Sequence, residues 1–363
     1  MQKTICYYIT GFGFGHLTRS LAIIEALLVK YTDVHVIIKA DDRLLKKARQ
    51  YLQTYAGRFS LHSFASHFSI VVDPATRRVD LEATARDALR WIGNLPASAQ
   101  AETMFLAEQR VSLVLSDIVP EAFRAAKEQH IPAVGISNFT WYEICADVLG
   151  ANPLLAPLLE MYQEAGELLV YPFSTGDYLP LMSKREVGPV TRPFDREKIG
   201  QIRSRYKEGK RPLAFLSVGG STRVEDFPLR ADMDYLVTMG IEVGDVVNVH
   251  RLSPDIPDSH NYLAACDVVI TKCGWSTVAE AALAGVPLWL MLSKNGWLEE
   301  RCIYQEVFSL GIGLEKTFTG MEAMKTREVA AELAALQSAC AKIPARYRDG
   351  MGKITEIIKL YIG

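Results

Sequence analysis

Residues 267–287, D-V-V-I-T-K-C-G-W-S-T-V-A-E-A-A-L-A-G-V-P, constrain what this chain can fold into more than any other stretch. The run 267–270 is rich in β-branched residues and reads as a buried strand. A tight turn at Gly274 follows. Residues 277–284 carry a helix pattern that Gly285 and Pro287 stop, a glycine just past the last turn and a proline beyond it. Strand, glycine turn and helix N-terminus in that order form an anion-binding device. Backbone N–H groups and the positive end of the helix dipole converge there on one spot. Glu280, which this reading puts on the first turn, is either a ligand contact or the second half of a Thr277-x-x-Glu280 capping box. On this stretch alone both readings stay open.

The same kind of unit opens the chain. Residues 5–10 form a strand that runs into Gly11-Phe12-Gly13-Phe14-Gly15-His16-Leu17-Thr18-Arg19. An amphipathic helix follows, with Leu21, Ile24, Ala26, Leu27 and Leu28 on its apolar side. Gly13 and Gly15 are placed where backbone comes close to a ligand. The spacing G-x-G-x-G-H departs from the G-x-G-x-x-G of dinucleotide binders, which argues against NAD or FAD. A histidine stands in place of the end of that fingerprint. A helix N-terminus disfavours an imidazolium, so His16 stays neutral and basic near pH 7 and suits a general base. The plain alternative is a histidine that caps its own helix. Arg19, one turn on, is a ligand clamp or an ordinary surface arginine.

Two further strand ends point the same way. The strand 111–116 ends in Asp117, which stands ready to orient His16, touch a substrate hydroxyl or cap the next helix. The strand 131–136 ends in Ser137-Asn138-Phe139-Thr140-Trp141-Tyr142. Asn138 and Trp141 suit sugar recognition, the amide for hydroxyls and the ring for a sugar face, unless the aromatics are core.

Between these units, residues 34–39 read as a strand and 42–55 as a helix. Residues 61–80 read as an irregular loop with His62, His67 and Asp73-Pro74. Two helices are expected at 80–91 and 98–108, a third at 152–166, and short strands at 168–172 and 187–190. The proline-bearing run 188–193 reads as a crossover. Domains are therefore predicted over 1–190 and 191–345, with the helix 346–363 packing back on the first. In the second half the strand 213–218 runs into Gly219-Gly220-Ser221-Thr222, another glycine turn. Strands are expected at 246–250 and 288–292, a short helix at 261–266, and loops at 251–258 and 293–300, the latter with Trp297, Glu299 and Glu300. Asp232-Met233-Asp234 lies in a helix-like stretch and reads as a chance D-x-D. Alternating buried-type strands and helices give an α/β fold of two Rossmann-like, doubly wound domains with a cleft between them.

Bulk properties narrow the function. A chain of 363 residues is long enough for two domains. A formal charge of -2 gives no reason to expect nucleic acid. No apolar run reaches the ~18 residues of a membrane span, and the N-terminus lacks a signal-peptide pattern, so a cytoplasmic protein without an integral membrane segment is expected. The six cysteines form no C-x-x-C pair and the seven histidines are scattered, so no metal site is expected.

On residues 267–287, Gly219-Gly220-Ser221 and the 11–19 loop, the chain resembles the two-domain, metal-independent glycosyltransferases of the GT-B fold. It looks most like the branch holding the bacterial N-acetylglucosaminyltransferase of peptidoglycan synthesis and the UDP-glycosyltransferases. The first half, with its 11–19 loop and S-N-F-T-W at 137–141, is also similar to the glycosyltransferase-like part of plant arabinokinases. The resemblance implies a UDP-sugar as co-substrate and no other cofactor, with the donor on the C-terminal domain. Glu280 would then bond the ribose hydroxyls, and Gly274, Ser276 and Thr277 would hold the diphosphate. Gly220 and Ser221 would approach it from the other loop, and Arg251 and Leu252 would lie at the uracil edge. The family pair that reads the donor sugar, Asp-Gln or Gln-Gln, falls at Glu299-Glu300, a departure that leaves the sugar open. His16 matches the base that acts on an acceptor hydroxyl, oriented by Asp117. A similar G-H-x-x-R loop in a UDP-sugar hydrolase of nonulosonic acid synthesis implies water as nucleophile instead. Nucleotide-sugar hydrolysis or epimerisation, and non-catalytic nucleotide-sugar binding, therefore stand as alternatives. The acceptor and the oligomeric state are not written in the sequence.

Overall fold

The computed structural model describes residues 3–71, 79–176, 183–207, 209–218, 224–225, 227–244, 246–254, 256–291 and 296–363. The chain divides into two compact units. The first holds Met1–Gly188, Trp297–Glu299 and Gly350–Gly363, and the second Pro189–Gly296 and Glu300–Asp349. No helix among the described residues is long and apolar enough to cross a membrane.

The first unit runs β1 (Lys3–Ile9), α1 (Phe14–Lys30), β2 (Val34–Ala40), α2 (Asp42–Tyr51), β3 (Phe59–Ser63), α3 (Leu81–Glu108), β4 (Leu113–Asp117), α4 (Pro120–Glu128), β5 (Ala133–Ser137), α5 (Trp141–Leu149), α6 (Ala156–Gln163), β6 (Glu167–Val170) and β7 (Lys184–Glu186). Its strands lie in the order β3-β2-β1-β4-β5-β6-β7, every pair parallel. β4 and β5 are buried along their whole length, as strands covered on both faces must be. The winding direction reverses between β1 and β4, so the loops that follow these two strands diverge. That leaves a crevice at their carboxyl ends, the usual ligand position of an open α/β sheet.

Three elements differ from expectation. His62 lies on the edge strand β3, not in a loop. The two helices expected at 80–91 and 98–108 are one helix, α3, running through Pro96. A proline removes one hydrogen bond and usually kinks a helix. Here buried Trp91, Ile92 and Leu95 before it and Ala99 and Leu106 after it keep the helix continuous. The strand expected at 187–190 is β7, shifted to Lys184–Glu186.

The second unit runs α7 (Arg196–Tyr206), β8 (Leu213–Ser217), β9 (Asp234–Val237), β10 (Val249–Arg251), α8 (Ser259–Ala264), β11 (Val268–Thr271), α9 (Trp275–Ala284), β12 (Leu288–Leu290), α10 (Leu298–Ser309), β13 (Gly313–Glu315), α11 (Phe318–Ala323) and α12 (Thr326–Cys340). The first two residues of α10, Leu298 and Glu299, group with the first unit. Parallel strands follow the order β10-β9-β8-β11-β12-β13, so the winding reverses between β8 and β11. Leu216, Tyr235, Ile270 and Trp289 meet in the core of this unit.

Two more readings are corrected here. Asp234 opens strand β9 instead of lying in a helix, because Tyr235-Leu236-Val237 is a short apolar run that buries completely between β8 and β10. Asp234 pairs with Arg211 at 2.8 Å, and Asp232 is held at 2.9 and 2.8 Å by the guanidinium of Arg230. Glu299 and Glu300 sit on the first turn of α10, not in a loop.

The last helix, α13 (Met351–Ile362), belongs to the first unit and buries Ile354, Ile357, Ile358 and Ile362 there. Tyr31 on the first unit donates its hydroxyl to Thr355 O at 3.2 Å. At the start of α13 a Cβ on Gly350 would fall 2.2 Å from Gly188 O and 2.6 Å from Gly188 N. Those neighbours are backbone and cannot rotate aside. Gly350→Ala is expected to cost the first unit about 1–3 kcal/mol, read as a lower midpoint of urea unfolding with the slope unchanged.

Candidate active site

His16 is the third residue of α1, whose N-cap is Gly13 with φ 79, a conformation that suits glycine. Arg19 follows one turn later on the same helix face. Asp117 ends β4, paired in register with Ile9 at the end of β1. The next residue, Ile118, has φ 56, a costly conformation for a β-branched side chain. It is held by Tyr162, whose hydroxyl donates to Ile118 O at 2.6 Å. Strain at this position sits beside the carboxylate that meets His16 Nδ1.

These side chains form one buried cluster. His16 is 6%, Arg19 3% and Asp117 1% exposed. His16 Nδ1 lies 3.0 Å from Asp117 Oδ1. Arg19 grips Asp117 twice, Nε to Oδ2 at 2.8 Å and Nη2 to Oδ1 at 2.6 Å. The Ser20 hydroxyl adds a bond to Oδ2 at 3.3 Å. Arg19 Nη2 also lies 2.9 Å from Ser137 Oγ and 2.8 Å from His16 Nδ1. Asp117 Oδ1 and Ser137 Oγ can accept both Nη2 protons, so His16 Nδ1 is able to carry its own proton toward Asp117. In that tautomer the lone pair is on Nε2, as a general base requires.

The electrostatics agree with a neutral ring. Burial pushes the His16 imidazole below its ordinary value; Asp117 works against that and Arg19 with it. Burial alone would raise Asp117, but Arg19 and then His16 overcome it and hold the carboxyl far below the usual range. Arg19 stays charged: burial opposes it, and Asp117 more than compensates.

Aromatic rings surround His16. Phe12 and Phe139 lie edge-on to it at 6.5 and 5.6 Å. Trp141 is fully buried against Phe12, Phe68 and Phe139. It packs as a core residue, the alternative that the sequence left open for these aromatics.

In the second unit, β11 ends at Thr271 and α9 starts at Trp275, with Gly274 as N-cap and no side chain capping the helix. Ser276 and Thr277 are therefore on the first turn. Glu280 is on the second, so the capping-box reading fails: Thr277 lies inside the helix and caps nothing. Gly285, with φ 70, ends α9 in the left-handed conformation. This helix start lies where the winding of the second sheet reverses. Its first-turn amides stand outside the helix's own ladder and carry the positive end of the dipole.

Glu280 faces Arg192, with Nη2 3.4 Å from Oε1. Burial lifts the Glu280 carboxyl above its ordinary value, and Arg192 pulls it back in part. His260 stands beside this pair, donating from Nε2 to Pro193 O at 3.0 Å, and is pushed down to about 4 by burial and then by Arg192. Gly220 and Ser221 lie outside the described residues, as does Asp73-Pro74. Arg251 ends β10 and donates to Val243 O. The Leu252 N–H donates to Val237 O at 2.8 Å. Glu300 lies 3.9 Å from Lys272.

Residues 3–149 match the family model for glycosyl transferase family 1. Arabidopsis thaliana L-arabinokinase is 27% identical over 303 residues, 77% of this chain and 27% of that protein, so the chain spans about a quarter of that relative's length. Among solved structures, Arabidopsis thaliana UGT89C1 complexed with UDP aligns over 100% of both chains with a TM-score of 0.66 at 13% identity. The calicheamicin glycosyltransferase CalG4 aligns over 100% of this chain and 99% of its own, with a TM-score of 0.63 at 16% identity. The chain has the GT-B fold.

The first unit brings together His16 and Arg19 from α1, Asp117 from the end of β4 and Asn138 from the turn after β5. The second unit brings Glu280 near the start of α9, with Ser276 and Thr277. Sequence reasoning missed Arg192 as the partner of Glu280, and Ser20 and Ser137 as partners of the Asp117–Arg19 pair. Ser20 had a signal, since it follows Arg19 on the same helix. Arg192 had none beyond its place in the 188–193 crossover.

Proposed function

We propose that this glycosyltransferase moves a sugar from a UDP-sugar to an acceptor hydroxyl, with His16 as general base and no metal ion in the step. His16 Nε2 takes the acceptor proton as the acceptor oxygen attacks the anomeric carbon. The bond from that carbon to the β-phosphate oxygen breaks, and UDP leaves. Asp117 accepts the Nδ1 proton in a hydrogen bond, holds the tautomer and stabilises the imidazolium that forms. The α9 N-terminus, through its backbone amides and dipole, takes up charge on the departing diphosphate. Glu280 accepts the ribose hydroxyls.

The observation that carries this reading is the buried His16–Asp117–Arg19 cluster, set at the reversal point of a sheet that matches a glycosyltransferase family. UGT89C1 has been solved with UDP and with UDP-L-rhamnose, which supports a uridine donor for a chain of the same fold.

The test is a thermal-shift screen against the UDP, GDP, TDP and ADP forms of common sugars. At a hundredfold excess over Kd, a UDP-sugar should add about 2.7 kcal/mol of stability, a rise of roughly 2–4 °C. A clear preference for a non-uridine nucleotide overturns the donor assignment. Release of free sugar at the full rate without any acceptor would assign hydrolysis instead of transfer.

A further inference from the structure

Glu299 is 7% exposed and groups with the first unit. Its Oε1 accepts from Asn138 Nδ2 at 2.8 Å, and Asn138 Oδ1 accepts from Arg19 Nη1 at 2.7 Å. The Asn138 amide has one workable orientation. Turned over, it would set its NH2 against a guanidinium and its oxygen against a carboxylate. Next to Glu299, Trp297 packs edge-on to Phe12 and Phe139 at 5.2 and 5.5 Å, the two rings that flank His16. A continuous polar chain thus runs Glu299–Asn138–Arg19–Asp117–His16.

We propose that Glu299 is a positioning residue of the His16 site: through Asn138 and Arg19 it supplies the second buried negative charge that allows His16 to take up a proton. This rests on the general-base reading of His16. The argument is one of charge. Arg19 lies against the His16 ring and opposes an imidazolium. The charge of Asp117 is already shared with that same arginine in a two-point pair. An imidazolium formed there would set two cations against one carboxylate, deep in a low-dielectric interior. Glu299 restores the balance, and its charge also acts to keep Arg19 protonated. Among the described residues, two further ionisable neighbours, Tyr7 and Tyr171, add no charge, because burial pushes both phenols well above their ordinary value. Ser20 and Ser137 are uncharged. The resemblance had assigned Glu299 to the donor sugar; its place in this chain makes it part of the proton-accepting apparatus.

The test is a titration of His16 by NMR in the full-length chain with labelled histidine, the resonance assigned by its loss in His16→Gln. In Glu299→Gln the Asn138 hydrogen bond is retained and the charge is lost. The His16 midpoint should fall by about one pH unit, the acid limb of kcat/KM should move the same way, and the KM for UDP-sugar should stay within about twofold. Glu299→Met, uncharged and similar in volume, should show the same midpoint and guards against a folding fault in the first variant. An unchanged midpoint overturns the proposal, as does a raised donor KM with the midpoint fixed, which would return Glu299 to the donor sugar. The titration needs no substrate. If His16→Gln left transfer intact, the general-base reading would fall, and the midpoint in Glu299→Gln would still decide whether Glu299 sets the proton affinity of His16.

Discussion

His16→Ala is expected to lower kcat/KM for sugar transfer by roughly 10²–10⁴-fold, the range for a positioned general base, while UDP binds as tightly as before. His16 is held in the first unit by Asp117 and Arg19, and the proposed UDP contacts all lie in the second. Calorimetry with UDP and an initial-rate assay on the same preparation separate the two effects. Loss of turnover with UDP binding intact would also remove the reading of a binding-only protein. Turnover that survived the substitution would remove His16 as the base. The pH dependence follows from the direction of the His16 shift. The ring must be neutral to accept a proton, and burial lowers its proton affinity in the folded chain. The wild-type rate should therefore rise with pH through a midpoint below about 6.5 and be flat above it. Stability carries the same sign. The unfolded chain binds this proton more tightly, so the contribution is present above about pH 6.5 and is lost as pH falls toward the folded value.

Glu280→Ala should weaken UDP binding by about 2–3 kcal/mol, or roughly 30- to 150-fold, the loss of charged hydrogen bonds to two ribose hydroxyls. The carboxylate is positioned for this by two things: its place on the second turn of α9 and the guanidinium of Arg192 at 3.4 Å. Alanine also leaves Arg192, itself 7% exposed, without that carboxylate, so a loss of fold stability must be told apart from a lost ligand contact. A UDP analogue lacking both ribose hydroxyls makes the distinction. Wild type and Glu280→Ala should bind the analogue equally, because the contact is absent from both sides of the cycle. A variant that binds UDP as the wild type does would remove Glu280 from the donor site.

Much of the fold could be read from apolar runs. β1, β4, β8 and β11 are buried stretches rich in Ile, Val and Leu, each followed by a polar or glycine-bearing turn, and that pattern admits few architectures other than parallel sheets covered by helices. Two strands lack this signal, β7, which was expected a few residues too late, and β13, which was missed. β7 reads Lys-Arg-Glu and is a strand only because it lies on the open edge of β6. β13, Gly-Leu-Glu, is a strand for the same reason beside β12. Local pattern cannot report a partner that tertiary structure supplies.

The site divides in the same way. His16 and Asp117 were readable because each sits at a strand-to-helix turn where ligand chemistry concentrates. Glu280 was readable as a residue but not in its setting: starting α9 at Thr277 instead of Trp275 moved it from the second turn to the first and created a capping box that does not exist. Arg19 was left as clamp or surface residue, and it is neither exposed nor peripheral. Glu299 and Asn138 lie 161 positions apart, and nothing in either neighbourhood announces their hydrogen bond.

The return of α13 to the first unit imposes an order of events on a growing chain. Residues up to Gly188 leave the ribosome long before Gly350, and the whole second unit is made in between. At ~5–20 residues per second that interval is on the order of ten seconds. Through it, the face of α1 that α13 will cover stays open, with Lys30 and Tyr31 still waiting for Thr355. The second unit is free to fold while its host is unfinished, and the host is sealed last. Until the second unit has been made, a nascent chain of this protein lacks the cover that Ile354, Ile357 and Ile358 give the first.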